Sequence, residues 1–448
     1  MNPLKVKELK EGWLIILATF LQYVIGYPAN ILPMSAILFA PKYEKFKASG
    51  TEEAIVIGLF TVSMNIVSIF VSPLVNARSP RFVAVIATTC QVSGLLICSI
   101  SDSLPVIMVG FGVVTGSGVG LSLVNNIIIV KKHFPNSIGI AFGVALTLIC
   151  IVGLLIPQIL QELINYFQSQ NDLVNQWTTV IYALMGSIGF FGAILMTSQS
   201  GNEEAVVTEI DSIEIDAQPS HFITEYVGLL KNPFYIVTAF VNSCCFSMMV
   251  YFISLIGPIV STRGFEEESS NFVTIFSAAN ASSLLPMGLL GDSMLLKKYL
   301  KYPKKFLYMF CCFGLILAML IFSYTTSFTS LVVGTILTGI FSSGIFITTN
   351  LVYFDCFQTK FESAVGLSNL FRCVFALSIN PLAGYFVSLP SCEDLHCSLN
   401  FLSGAICFLI VVWTGASRII DNHNKRLSAE AVVQWKKEEG VNIVGDKT

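Results

Sequence analysis

Apolar runs of about 20 residues recur along nearly the whole of this sequence, each long enough to cross a hydrocarbon core of about 30 Å as a helix. Twelve spans are expected, over roughly 13–40, 54–74, 82–100, 105–130, 138–160, 177–197, 234–257, 269–290, 306–324, 329–354, 363–389 and 401–417. Inside lipid the chain itself must satisfy every backbone N–H and C=O, which leaves helices or a closed barrel. Barrel strands are half as long and alternate apolar with polar residues; these runs do neither. Composition agrees. Charged residues make up 12% of the chain against about 25% in soluble domains, too few to coat a water-soluble globule. No basic, aromatic-interleaved patch points to nucleic acid. The first run, Trp13 to Ala40, holds no small-residue cleavage site and is expected to remain as the first helix.

One interval breaks the pattern. Ser198 to Lys231 is polar and acidic, with Glu203, Glu204, Glu209, Asp211, Glu214, Asp216 and Glu225 against Lys231 alone. It divides the spans six and six and is expected to be a solvated linker, largely disordered. The domain plan is a cytoplasmic N-terminal segment (1–12), a six-helix half (13–197), the acidic linker (198–233), a second six-helix half (234–417) and a cytoplasmic tail (418–448). The expected fold class is an all-α, twelve-helix membrane protein, with a substrate site where the halves meet near mid-bilayer. Basic residues orient it. With the N-terminus in the cytoplasm, twenty of the 25 Lys and Arg residues fall inside and four outside, namely Lys42, Lys45, Lys47 and Arg263. The excess inside places both termini in the cytoplasm, in a membrane expected to be the plasma membrane.

Two loops occupy equivalent places in the halves. After the second span the sequence reads Ser72-Pro73-Leu74-Val75-Asn76-Ala77-Arg78-Ser79-Pro80-Arg81; after the eighth it reads Gly288-Leu289-Leu290-Gly291-Asp292 with lysines beyond. Glycine there lets helices approach closely, and an acid or amide beside basic residues can latch the two sides of a cytoplasmic mouth. Asn76, Arg81, Asp292 and Asp355 are the candidate gating residues. The pattern resembles the major facilitator superfamily and, within it, the monocarboxylate transporter family. Five stretches carry the second resemblance, in order along residues 11–417. They are Glu11-Gly12-Trp13; Ser72 to Asn76; Gly116 to Gly120 with Lys131-Lys132-His133-Phe134; Leu230-Lys231-Asn232-Pro233; and Asp355 with Lys360-Phe361 and Ser363 to Leu367.

The resemblance implies a major-facilitator-type fold, transport of small organic anions, and a single-span accessory glycoprotein as partner. There are departures. The family typically places an aspartate and, four residues on, an arginine in the eighth helix; the matching positions here are Asn280 and Leu284. Many members also carry a lysine late in the first helix, where this chain has apolar and amide residues around Asn30 to Pro33. The family's proton-and-carboxylate machinery is absent from its usual places, so transport without strict proton coupling is expected.

Arg372 is the one Lys or Arg inside a span, about 14 Å along it from Ser363. A cation at that depth costs about 2.5–3.5 kcal/mol on insertion scales and should face a cavity or a partner. It is the leading substrate-binding candidate, able to hold a carboxylate through two parallel hydrogen bonds; backbone carbonyls or an amide such as Asn369 would hold it in a structural role instead. Asn280, and Tyr23 with Tyr27 four residues apart on one face of the first helix, are the other binding candidates. Cys392 and Cys397, in the polar stretch Ser391–Asn400, are a candidate disulfide. Nine of the twelve cysteines lie within apolar runs as small buried residues. The histidines do not cluster, and no metal-ligand spacing, phosphate-cradling loop or nucleophile elbow occurs, so neither an enzyme nor a metal or cofactor is expected. The sequence supports a carrier of a small organic anion or amino-acid-like solute. A facilitator of neutral or aromatic solutes and a transport-dead sensor stand as alternatives.

Overall fold

The computed structural model describes residues 12–28, 50–101, 103–135, 137–168, 174–196, 219–265, 268–293, 302–357, 360–387 and 399–418, with a few single residues between them. Its principal helices are α1 (Trp13–Gly26), α2 (Gly50–Val67, continuing through a 3₁₀ turn at Ser68–Phe70 into Val71–Ala77), α3 (Pro80–Ile100) and α4 (Leu104–His133, π-helical at Met108–Thr115). Next come α5 (Ile138–Gln168), α6 (Val174–Gly186 and Ile188–Leu195), α7 (Pro219–Leu230) and α8 (Pro233–Thr262). The second half continues with α9 (Ser269–Gly291), α10 (Pro303–Tyr324), α11 (Phe328–Cys356), α12 (Phe361–Val387) and α13 (Leu399–Arg418).

Ten of these contain stretches long and apolar enough to cross a membrane; α1 is apolar but shorter over its described length. With α12, which carries the buried arginine, they make the twelve-span, all-α arrangement. Alternation along the chain gives the bundle two ends. The linker face is the one where α7 lies; the other is the far face.

Local sequence sets the helix starts. Ser79 caps α3 by accepting the Phe82 N–H at 3.2 Å, and Pro80 follows at the first helical position. Asn232 does the same for α8, its side-chain oxygen taking the N–H groups of Phe234 at 3.0 Å and Tyr235 at 3.4 Å. Small residues then set how close helices come. A Cβ at Gly116 would lie 2.8 Å from the Phe60 carbonyl, and one at Gly120 would lie 2.1 Å from that of Met64, so α4 meets α2 backbone to backbone. Between the halves, α5 packs on α9 and α2 on α12.

The last third of the segment expected to be a linker is α7, whose Tyr226 and Leu229 are buried against the bundle. The structure corrects the expectation for two cations counted outside, which are not left to water. Lys42 is 5% exposed, and its ammonium donates to the carbonyls of Cys98, Ser99 (2.9 Å) and Ser101 (3.0 Å), at the C-terminus of α3. Arg263 donates to the carbonyls of Phe322 (3.2 Å), Ser323 (3.3 Å) and Thr325 (2.6 Å), at the C-terminus of α10. Cations are favoured at helix C-termini, where unpaired carbonyls carry partial negative charge. In both cases the carbonyls belong to the third-last and second-last helical residues and to the residue just past the end. Each cation comes from the segment after the first helix of its half and clasps the third. Gly264, with φ of 87°, ends α8 in a turn that a side chain would strain and so leads Arg263 to its site.

Candidate functional site

Four side chains about 15–20 Å from the linker-face ends of their helices define the middle of the bundle: Tyr23 on α1, Phe246 on α8, Phe346 on α11 and Arg372 on α12. Arg372 is 9% exposed and stacks on Phe246, its guanidinium carbon 4.2 Å from the ring centroid. Its Nη1 donates to the side-chain oxygen of Asn369, one turn earlier, at 3.0 Å. Its Nε is buried without a hydrogen-bond partner, and among the described residues no carboxylate forms an ion pair with it.

Aromatic rings carry the site into the first half. Phe246 lies 6.3 Å from Phe346, Phe346 meets Tyr27 edge to face at 5.9 Å, and Tyr27 lies 5.7 Å from Tyr23. Tyr23 is fixed by a 3.1 Å hydrogen bond to the Leu123 carbonyl on α4. Asn280 stands apart from Arg372. It is half-buried between α5, where the Cys150 thiol points at it from 3.9 Å, and α11, where Ser342 lies 3.5 Å away. Leu284, one turn on, is fully buried.

Polar ties close the linker face beneath these rings. The Asp292 carboxylate, at the end of α9, accepts the Ile140 N–H at the start of α5 at 3.0 Å. A Cβ at Gly288 would come 2.1 Å from the Gly139 carbonyl, so only glycine fits that crossing. Lys131 on α4 faces Glu362 on α12 at 3.8 Å and lies over the Phe361 ring. From α7, Tyr226 donates to the Ile69 carbonyl at 2.7 Å, while the neighbouring Glu225 accepts from Ser363 on α12 at 2.6 Å. The Ile69 carbonyl is open to this bond because its helical donor four residues on would be Pro73, which has no N–H. The crevice between α5 and α11 below Phe346, lined by Ile138, Phe142 and Asn350 among others, leaves no room for a water molecule.

The remaining candidates part company. Asp355 pairs with Lys304 of its own half at 2.5 Å and, among the described residues, makes no tie to the other half. Asn76 and Arg81 are exposed and, among the described residues, make no hydrogen bond or ion pair. Cys397 is disulfide-bonded, whereas Cys392 lies outside the described residues; the ten other cysteines form no disulfide. Sequence reasoning missed Phe246, Phe346, Glu225 and Tyr226. Two phenylalanines among 35 carry no mark of their place. The α7 contacts did leave a trace, in Pro219 followed by apolar residues at Phe222, Tyr226 and Leu229, the spacing of a one-sided helix.

Comparison with known proteins gives this geometry its lineage. The family model for the Major Facilitator Superfamily matches residues 13–374. The chain belongs to the major facilitator superfamily. Among its curated relatives are monocarboxylate transporter 2 of Homo sapiens, 24% identical over 416 residues and covering 90% of this chain and 84% of the relative, and that of Meriones unguiculatus, 23% identical over 428 residues. Monocarboxylate transporter 12 of Xenopus laevis is 21% identical, covering 94% of this chain and 92% of its own length. The fold is similar to that of the E. coli fucose:proton symporter FucP, with a TM-score of 0.65 over 91% of this chain and 98% of that one, at 11% identity. This superfamily member is therefore a multi-pass membrane transporter rather than an enzyme.

Proposed function

We propose that the protein moves a small monocarboxylate or amino-acid-like anion across the membrane by alternating access, with Arg372 holding the carboxylate. One observation carries this reading: a guanidinium buried at mid-bundle, stacked on one face, with an N–H that has no partner and, among the described residues, no acid paired with it. An unpaired cation in lipid is costly, and an incoming anion supplies the missing charge. Tyr23, Tyr27 and Asn369 border the same place; Asn280 packs helices. The linker face is the cytoplasmic one, with residues 13–197 and 234–417 as the two moving halves, and Asp292 latches them there. A single-span accessory glycoprotein, as the monocarboxylate transporter resemblance implies, and a plasma-membrane location complete the proposal.

The test is uptake of labelled carboxylates, corrected for surface expression. Arg372→Lys keeps the charge but loses the planar fork and should cut uptake severely; Arg372→Gln should abolish it. Wild-type affinity in Arg372→Gln would make the arginine structural. In that case the second reading, a carrier of neutral or aromatic solutes, takes over; the aromatic line from Phe246 to Tyr23 favours it. Absence of uptake for every solute would leave the sensor. Liposomes holding only this protein report on coupling: no titratable acid borders Arg372 among the described residues, so an imposed proton gradient should not drive uphill uptake.

A further inference from the structure

The contacts of Arg372 leave one edge of its guanidinium for a ligand. Phe246 covers a face at 4.2 Å, and Nη1 is bound to Asn369 at 3.0 Å. Nε has no partner. The open edge is therefore the side formed by Nε and Nη2, whose two parallel N–H bonds match the two oxygens of a carboxylate. Asn369 itself is 1% exposed and sits three residues before the arginine, on the same helical face. Its role is unusual in one respect. An amide oxygen aims the guanidinium as an aspartate would, with nearly the same shape, yet adds no charge.

We propose that Asn369 sets the charge selectivity of the pathway: it holds Arg372 in place without neutralising it, so that the balancing negative charge must come from a planar anion bound side-on. This rests on the proposed role of Arg372 and adds to it a residue that need not touch the substrate. Asn369 is a positioning residue, and the chemistry of position 369 decides between anions and uncharged solutes. An aspartate there would satisfy the arginine from within the protein. The site would then hold a closed ion pair, with no charge left to attract a carboxylate.

The experiment compares wild type, Asn369→Asp, Asn369→Gln and Arg372→Gln. Two matched probe pairs are used, pyruvate with pyruvamide and benzoate with benzamide, and surface amounts are measured throughout. Expected for Asn369→Asp is a loss of at least about tenfold in carboxylate uptake relative to its amide partner, since the new carboxylate takes the place of the anion's charge beside Arg372 and repels a second anion from the same edge. The purified, ligand-free Asn369→Asp protein should also melt at a higher temperature than wild type, because the lone cation has gained a partner. Asn369→Gln, which keeps a neutral acceptor, should retain the carboxylate preference, with KM changed more than maximal rate. If Asn369→Asp fails to reach the surface, the same comparison is made on purified protein in liposomes.

The outcomes separate the two claims. Carboxylate uptake unchanged in Asn369→Asp but lost in Arg372→Gln would overturn the role of Asn369 and leave the arginine's role standing. Unchanged uptake in both would overturn both. Loss of the carboxylate preference in Asn369→Gln as complete as in Asn369→Asp would also overturn the inference, since the amide would then matter for shape rather than for its lack of charge.

Discussion

At the scale of the residue, three buried cations meet three different fates. Lys304 has an acid, Asp355, at 2.5 Å. Lys42 has the carbonyls at the end of α3. Arg372 has an amide, a ring and an edge left open. Hydropathy finds all three but separates only the last, because it reports the side of the membrane a residue falls on and not what its side chain reaches. Lys42 illustrates the gap: counted correctly as lying beyond the first span, it is buried all the same. Removing it should be felt in stability and not in selectivity. Lys42→Ala leaves carbonyls at the α3 terminus without a charged donor, costing about 1–3 kcal/mol, since hydrogen bonds to charged groups are worth about 1.5–3. A lowered melting temperature in detergent, with the ratio of carboxylate to amide uptake unchanged, is the expected result. Lys42→Arg should recover part of the loss.

At the scale of the element, the helices were legible because a bilayer leaves so few alternatives, and the spans drawn from hydropathy overlap the observed helices throughout. The glycine at position 288 was legible too, as a place where two helices approach. Its partner was not, for the Gly139–Gly288 crossing joins residues far apart in the chain and no local pattern encodes it. A Cβ 2.1 Å from a backbone carbonyl cannot be absorbed by a rotamer change, so Gly288→Val should hold α5 and α9 apart. Alkylation of a cysteine reporter at Ile140, in a background without reactive thiols, should then proceed faster from the linker side. α7 acts in the same direction more gently. Adjacent residues tie it to α2 and to α12, so parting those helices breaks one tie. Tyr226→Phe deletes a single hydrogen bond of about 1 kcal/mol, and the same reporter should register an opening equilibrium shifted about five-fold. An unchanged alkylation rate would mean that α7 rides on one half alone.

At the scale of the whole molecule, the twelve-span plan and the resemblance to monocarboxylate transporters were both readable, the first from run lengths and the second from five short stretches in order. The site was readable only in part. A lone arginine in an apolar span announces itself, but the aromatic line beside it looks like any other core until the halves are packed together. Orientation is a property of the whole chain, carried by its excess of basic residues on one side. Tags inserted at Gly201 and after Thr448 should therefore be reached by antibody only once cells are permeabilised; staining of intact cells would invert the molecule.

The twin clasps made by Lys42 and Arg263 bear on how such a molecule is built. Each joins the segment after the first helix to the end of the third within one half, and neither asks anything of the other half. A ribosome feeding this chain into the membrane can therefore fasten helices one to three while the rest is still being synthesised, and repeat the operation with the same knot hundreds of residues later. The halves would reach one another as finished pieces. On the alternating-access reading proposed above, clasps of this kind leave the seam between the halves untouched, so that it can part and rejoin without loosening either one.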